Sequence, residues 1–586
     1  MKSFFKTVLA CMLGVLLLWF VVFLFVIVIS ASFSGKKPVV KDESVLVLDL
    51  NGVEMEERVS IDNPLHFLKG NEPLKIIGLN DWNVVLKAAA EDRHIKGVSL
   101  IPGNFSASPA TLNAMRNALQ QFKDAGKFIY AYDNNYSQNA YFLASVADSI
   151  FLNPLGVVNI YGLAAQVIYY KDLLDKYDIE MQVIRHGSYK SAAEPYMASR
   201  MSSENREQIS VYLTSIWGHM CETIAKSRKK SVKQINSVAD HLVLANNASV
   251  ALSTHFVEQL VYQDEYEELL RMRIQNDSIS DLKINKINYS DYKKNISSHK
   301  STPYKVAIVY ANGIIAEGKG SSEKIGDNFV DELRKLREKK DIKAVVLRVN
   351  SGGGNALLSD RIWREVKLMK EVKPIVVSMG DYAASGGYYI SCAADYIVAE
   401  PTTITGSIGV FGIIPNFSRI LSNKLGINVE TVKTNPYSDM SSTVRPMTVY
   451  ERNVMQHSTD IIYDTFVKRV ADGRNLTLEY VDQIAQGRVW TGKDALGIGL
   501  VDTLGGLEVA VAYAVKKAGL AHYSVVERPV MENFISSFTT SMRQTRQQRM
   551  LEQWRGTAIY PFIKLSRTLE EARGVQALLP YQLEFE

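Results

Sequence analysis

Residues 341–349 read "DIKAVVLRV" and residues 94–101 read "HIKGVSLI". Each is a short apolar run behind an amphipathic stretch, the pattern of a buried strand entered from a helix. Laid over each other, the two runs set an offset of 247 residues, which carries Ile95 onto Ile342 and Lys96 onto Lys343. Without a gap, the same offset puts Tyr141 on Tyr388, Asp148 on Asp395, Pro154 on Pro401 and Gly162 on Gly409. Upstream, "SVLVLDLNGVEME" (44–56) and "YKVAIVYANGIIAEG" (304–318) both read as a strand entering a glycine turn. Helix and strand alternating in two copies predict an α/β fold made by tandem duplication.

At 586 residues the chain is too long for one core. The duplication divides it into an N-terminal segment (1–40), a first repeat (41–275), a polar linker rich in Ser, Asn and Lys (276–303), a second repeat (304–522) and a tail (523–586). A net charge of +5 over this length leaves no footprint for nucleic acid. Three cysteines without CxxC spacing exclude a disulfide framework and a zinc knuckle. From Thr7 to Gly35 there is no charged residue. This predicts a transmembrane helix over about 7–32, since a bilayer core of ~30 Å needs ~20 helical residues. The run exceeds the ~7–15 apolar residues of a signal peptide, so a retained anchor is expected. Lys2 and Lys6 before it, and Lys36 and Lys37 after it, nearly balance the positive-inside rule. In the tail, "MRQTRQQRMLEQWR" (542–555) reads as a basic, solvated helix.

The two copies differ where chemistry is expected. The second has "RVNSGGGNALLSD" (348–360) after its buried strand, and "DYAASGGYYIS" (381–391) follows. Successive glycines let backbone N–H groups approach a bound oxygen, and Ser385 offers a nucleophile beside them. In the first copy the loop is "IPGNFSASP", Ser385 becomes Gln138, and Gly386 and Gly387 become Asn139 and Ala140. The second copy is therefore the expected catalytic one. A base for Ser385 is less plain, since no histidine lies between His299 and His457. The first copy supplies two candidates in "RHGSYKSAAEP" (185–195), His186 and Lys190, the latter opposite Tyr437 or Ser438 of the second copy, which has no lysine there. A lysine serves if burial strips its charge and lowers its pKa of ~10.4 towards ~7–8.

Together "SGGGNALLSD", "DYAASGGYYIS", "TGSIGVFG" (405–412), "GRVWTGKDALGIGLVD" (487–502) and "YKSAAEPY" (189–196) carry a family resemblance. They resemble the S49 serine peptidases, in the long, duplicated signal peptide peptidase A or protease IV type. The resemblance implies tandem Clp-protease/crotonase-like domains and a Ser–Lys dyad split between the repeats. Ser385 matches the nucleophile, Lys190 the general base, and Ser407 a hydroxyl that assists the lysine. The N–H of Gly386, with that of Gly352 or Gly353, would bind the oxyanion. No metal or cofactor is called for. The resemblance also implies a homotetramer on the bacterial cytoplasmic (inner) membrane, facing the periplasm and degrading cleaved signal peptides. One departure is "NSGGGN", where such sequences commonly have a proline, as in "NSPGGS". Two rival readings are a crotonase-like acyl-CoA enzyme and an inactive assembly scaffold.

Overall fold

The structure, a computed structural model, describes residues 6, 12–21, 38–59, 75–245, 247–275, 284–296, 302–321, 323–529 and 576–578. Two largely parallel sheets organise it. The first runs in the order Gln259–Leu260, Ser149–Leu152, Phe128–Asp133, Ile95–Ile101, Ser44–Asp49 and Asn285–Asn288. The second has Ile375–Ala384, Ile342–Ser351, Lys305–Asn312 and Ser524–Arg528 in the same relative places, with Tyr396–Ala399 and Thr503–Leu504 beside Ile375–Ala384. Strands covered on both faces need apolar side chains at successive positions. Accordingly Val306, Ala307, Ile308 and Val309 are all buried.

The predicted register recurs element by element. Helix Pro109–Asp124 has its counterpart in Ala356–Lys370, strand Phe128–Asp133 in Ile375–Ala384, and strand Ser149–Leu152 in Tyr396–Ala399, each starting at the same offset. Two boundaries need correction. The stretch 276–303, expected to be a linker, holds strand Asn285–Asn288, which lies parallel to Ser44–Asp49 at the edge of the first sheet, and then helix Tyr289–Asn295. Only Ile287 of that strand is buried, so its polar neighbours hid the pattern. Likewise the second repeat does not stop at 522. Strand Ser524–Arg528 pairs with Lys305–Asn312 as Asn285–Asn288 pairs with Ser44–Asp49.

The expected membrane span falls mostly outside the described residues, of which 12–21 are helical and exposed. Among the described residues no helix is long and apolar enough to cross a membrane. The basic helix expected over 542–555 also lies outside them.

The repeats meet through buried polar groups and through a ladder. Arg348 forms a two-pronged pair with Glu57, at 2.7 and 2.8 Å, and also donates to Ser378 Oγ and the Met379 carbonyl. Asp381 accepts from the backbone N–H groups of Ala110 and Thr111 and from the Thr111 hydroxyl. Strand Glu180–His186 of the first repeat runs antiparallel to Val410–Asn416 of the second, over seven residue pairs from Val410 with His186 to Asn416 with Glu180. This ladder delivers the loop after His186 into the second repeat.

Candidate active site

Ser385 sits where strand Ile375–Ala384 turns into the short helix Gly386–Ser391. Its backbone has φ +55° and ψ −117°, a conformation costing a non-glycine residue roughly 1–3 kcal/mol. Its N–H donates to the Gly406 carbonyl at 2.7 Å, which helps to hold the turn. Strand-to-helix turns of this strained kind thrust a nucleophile out of a sheet. The glycine loop lies alongside. Gly353, at φ +100°, has its Cα against Gly386, since a Cβ there would come within 2.5 Å of the Gly386 nitrogen. Gly353 N–H donates to Ser351 Oγ at 3.1 Å, and half-buried Gly352 links strand Ile342–Ser351 to Gly353–Asn355.

Lys190 arrives from the first repeat, four residues beyond the end of the ladder. Its side chain is fully buried, and Nζ stands 2.8 Å from Ser385 Oγ, 2.9 Å from Ser407 Oγ and 3.1 Å from the Ser407 carbonyl oxygen. Burial holds its pKa well below the ordinary value of 10.5. Desolvation penalises the charged ammonium, so the amine is neutral far more readily than an exposed lysine. Ser407, also buried, has φ +50° and donates its N–H to the Arg488 carbonyl.

The two histidines stand elsewhere. His186 Nδ1 lies 2.8 Å from Asp460 Oδ1, and the ring stacks on Tyr463 with centroids 3.9 Å apart. His457 is exposed on helix Val449–Arg474. Of the candidate bases, Lys190 alone is brought within hydrogen-bond reach of Ser385.

Several supporting residues escaped the sequence reading. Gly487, at φ +80°, packs directly on the Lys190 backbone: a Cβ there would lie 2.6 Å from both the nitrogen and the Cβ of Lys190. Tyr189 N–H donates to the Gln486 carbonyl, and Gln208 Nε2 donates to the Tyr189 carbonyl and to Ser191 Oγ. The quoted "GRVW" motif begins at Gly487, but nothing in the string says that the glycine faces a lysine some 300 residues upstream.

Comparison with known proteins follows the duplicated architecture. The family model for peptidase family S49 matches twice, over residues 121–275 and 367–521. The chain belongs to peptidase family S49. Protease 4 of Salmonella typhi is 36% identical over 516 residues, covering 85% of this chain and 83% of the relative. Protease 4 of Haemophilus influenzae is 34% identical over 568 residues, 94% of this chain and 92% of the relative. The chloroplastic serine protease SPPA of Arabidopsis thaliana is 33% identical over 74% of this chain and 64% of its own length. Together these place the chain with the long, duplicated S49 peptidases. A solved ClpP1 mutant from Listeria monocytogenes aligns at 12% identity over 35% of this chain and 94% of its own, with a TM-score of 0.23. That score is too low to extend the Clp-like comparison, and the α/β class stands on the sheets themselves.

The packing of Gly487 on Lys190 gives a sharp test within this S49 site. Gly487→Ala adds a Cβ that forces Lys190 aside, and a misplacement of ~1 Å in an active site can cost ~100-fold in rate. Peptidase activity should fall by about that factor while the far-ultraviolet circular dichroism stays that of the parent. Activity within twofold of the parent would mean that the lysine's position is not set here.

Proposed function

We propose that this S49 chain is a serine endopeptidase with a Ser–Lys dyad. It would be anchored by its N-terminal segment in the bacterial cytoplasmic membrane, face the periplasm, and degrade cleaved signal peptides and other unfolded apolar peptides. The observation carrying this reading is the 2.8 Å approach of a fully buried lysine to Ser385. In this mechanism neutral Lys190 takes the hydroxyl proton of Ser385 as Oγ attacks a peptide carbonyl. Ser407, within 3 Å of Nζ, orients the amine. The N–H of Gly386, with one from Gly352 or Gly353, meets the developing oxyanion, and each such donor is typically worth ~2.7–4 kcal/mol. The lysine returns the proton to the leaving amine, and water then releases the acyl-enzyme by the reverse route. The acyl-CoA and scaffold alternatives give Lys190 no task, whereas burying an amine against a serine hydroxyl opposes stability and calls for one.

Assembly into a closed oligomer, a homotetramer, is part of the proposal, and the duplication suggests its contact. Carried across by 247 residues, the two ladder strands fall on 427–433 and 163–169. The first of these is exposed throughout. The second alternates, with Leu163, Ala165 and Val167 packed on the core and the residues between them exposed, as along a sheet edge. Pairing 427–433 of one copy with 163–169 of the next would repeat between chains the ladder made within each. Head-to-tail contacts of this kind close into a ring where the rotation between copies closes.

Three results would test these statements. Because a neutral amine is required, kcat/KM for a fluorogenic peptide should be low in acid. It should rise with pH through a limb lying well below the ordinary lysine value of 10.5. Ser385→Ala and Lys190→Arg should both be inactive, since a guanidinium keeps its proton; a flat profile from acid to base would remove Lys190 as the base. Val432→Pro, which denies an edge strand one N–H, should reduce the oligomer seen by light scattering, and an unchanged mass would refute the proposed contact. Protease added to intact spheroplasts should digest the chain, and protection until lysis would reverse the orientation.

A further inference from the structure

Gln486, the residue before Gly487, follows helix Leu478–Ile484 and has φ +53°, the left-handed region in which helices more often end on glycine. Its side chain is held by a polar cluster. Nε2 donates to the Tyr463 hydroxyl at 2.9 Å and to Asp482 Oδ1 at 2.7 Å, and the backbone N–H points at the same hydroxyl from 3.4 Å. Tyr463 donates in turn to Asp482 at 2.5 Å, and burial together with that carboxylate keeps the phenol protonated. The ring of Tyr463 is buried, and the His186 ring lies stacked against it. A glycine would adopt the same φ without strain but would make none of the side-chain bonds.

This anchor holds the surroundings of Lys190. The Gln486 carbonyl accepts the Tyr189 N–H at 2.9 Å, the Gly487 N–H donates to the Ile408 carbonyl at 2.8 Å, and the Arg488 carbonyl accepts the Ser407 N–H at 2.7 Å. Three successive residues therefore tie together the chain that carries Lys190 and the turn that carries Ser407. The fit is close on both sides. A Cβ on Gly187 would lie 2.5 Å from the carbonyl carbon and oxygen of Gln486. One on Gly409 would lie 2.8 Å from Gly487 Cα and 3.2 Å from Lys190 Cδ. Gln486 itself bonds neither to Ser385 nor to the glycine loop.

We propose that Gln486 is a positioning residue of the peptidase reaction, anchored by Tyr463 and Asp482, and that it sets where Lys190 Nζ stands between Ser385 and Ser407. This rests on the serine-peptidase reading above and deepens it by naming what fixes the lysine. Without the anchor, segment 486–488 relaxes, Nζ drifts from Ser385 Oγ and water reaches the amine. Two effects then come together. Proton transfer slows, and the lysine pKa climbs towards its ordinary value, because desolvation is what depresses it. A residue that only stabilised the fold would produce neither effect in the folded enzyme.

Full-length protein in detergent, assayed with a fluorogenic peptide across pH, tests this with two variants. Gln486→Gly permits the same φ and removes the anchoring side chain, while Tyr463→Phe keeps a ring against His186 and removes the hydroxyl. In both, kcat should fall roughly tenfold or more with KM within about twofold of the parent. The rising limb of kcat/KM should also move to higher pH. Val470→Ala opens a cavity in the core beside the same helix, Val449–Arg474. It should lower Tm yet leave kcat and the limb as in the parent. Parental kcat and limb in both variants would overturn this inference and leave the peptidase reading intact. A loss confined to KM with the limb unmoved, or the same loss and shift in Val470→Ala, would overturn it equally. A parent without a rising limb would remove Lys190 as the base, and this inference with it.

Discussion

Seven residue pairs between strands Glu180–His186 and Val410–Asn416 hold the candidate site together, because they fix where a loop of one repeat enters the other. Strand pairing is unforgiving: a slip of one residue turns every side chain to the opposite face. Here a slip would also carry Lys190 about 3.4 Å along the strand, beyond reach of Ser385. The loop leaves the ladder at His186 and is pinned at Tyr189 by the Gln486 carbonyl and by Gln208, so little freedom remains before Nζ. The buried pair of Arg348 with Glu57 and the capping of the Ala110 turn by Asp381 lock the same two repeats at other points. The positioning of the lysine is therefore a property of the whole interface.

The chemical consequence is a lysine with very unusual surroundings. Its neighbours at Nζ are two hydroxyls and a carbonyl, and desolvation is the cause of its lowered pKa. A neutral amine suits this setting, donating to the Ser407 carbonyl while accepting from a serine. The same burial works against folding below the ordinary lysine pKa, where the unfolded chain holds a proton that the folded chain does not. Stability traceable to Lys190 is thus greatest above that value. It declines as pH falls towards the lowered folded-state pKa, the same direction as for a salt-bridged carboxylate, whose folded pKa is also depressed. Burying this lysine therefore costs stability at any pH below the ordinary lysine value.

Much of this was legible in the string, though unevenly. The duplication could be read from Ile95 and Ile342 onward because buried parallel strands leave long apolar runs that survive divergence. Ser385 stood out because its glycines have no counterparts at Asn139 and Ala140. By contrast, local sequence gave no ground for preferring Lys190 to His186, four residues earlier; the ladder decides it by turning His186 towards Asp460 and Tyr463. Edge strands were the commonest omission. Asn285–Asn288 buries a single isoleucine, and Gln576–Leu578 is too short for any periodicity to show. Gly487 was visible as part of a motif, but its purpose depends on a contact that only the folded chain makes.

The wide separation of Lys190 and Ser385 along the chain has a consequence for biosynthesis. Lys190 and Ser385 are 195 residues apart, and each belongs to a different repeat. Ribosomes deliver the N-terminal repeat first, and domains generally fold as they emerge. Lys190 is therefore made, and its ladder strand waits unpaired, well before Ser385 exists. A half-made chain holds a lysine without a serine, and a fragment of the second repeat holds a serine without a lysine. Duplication has in this way made completion of the polypeptide a condition for bringing Lys190 to Ser385.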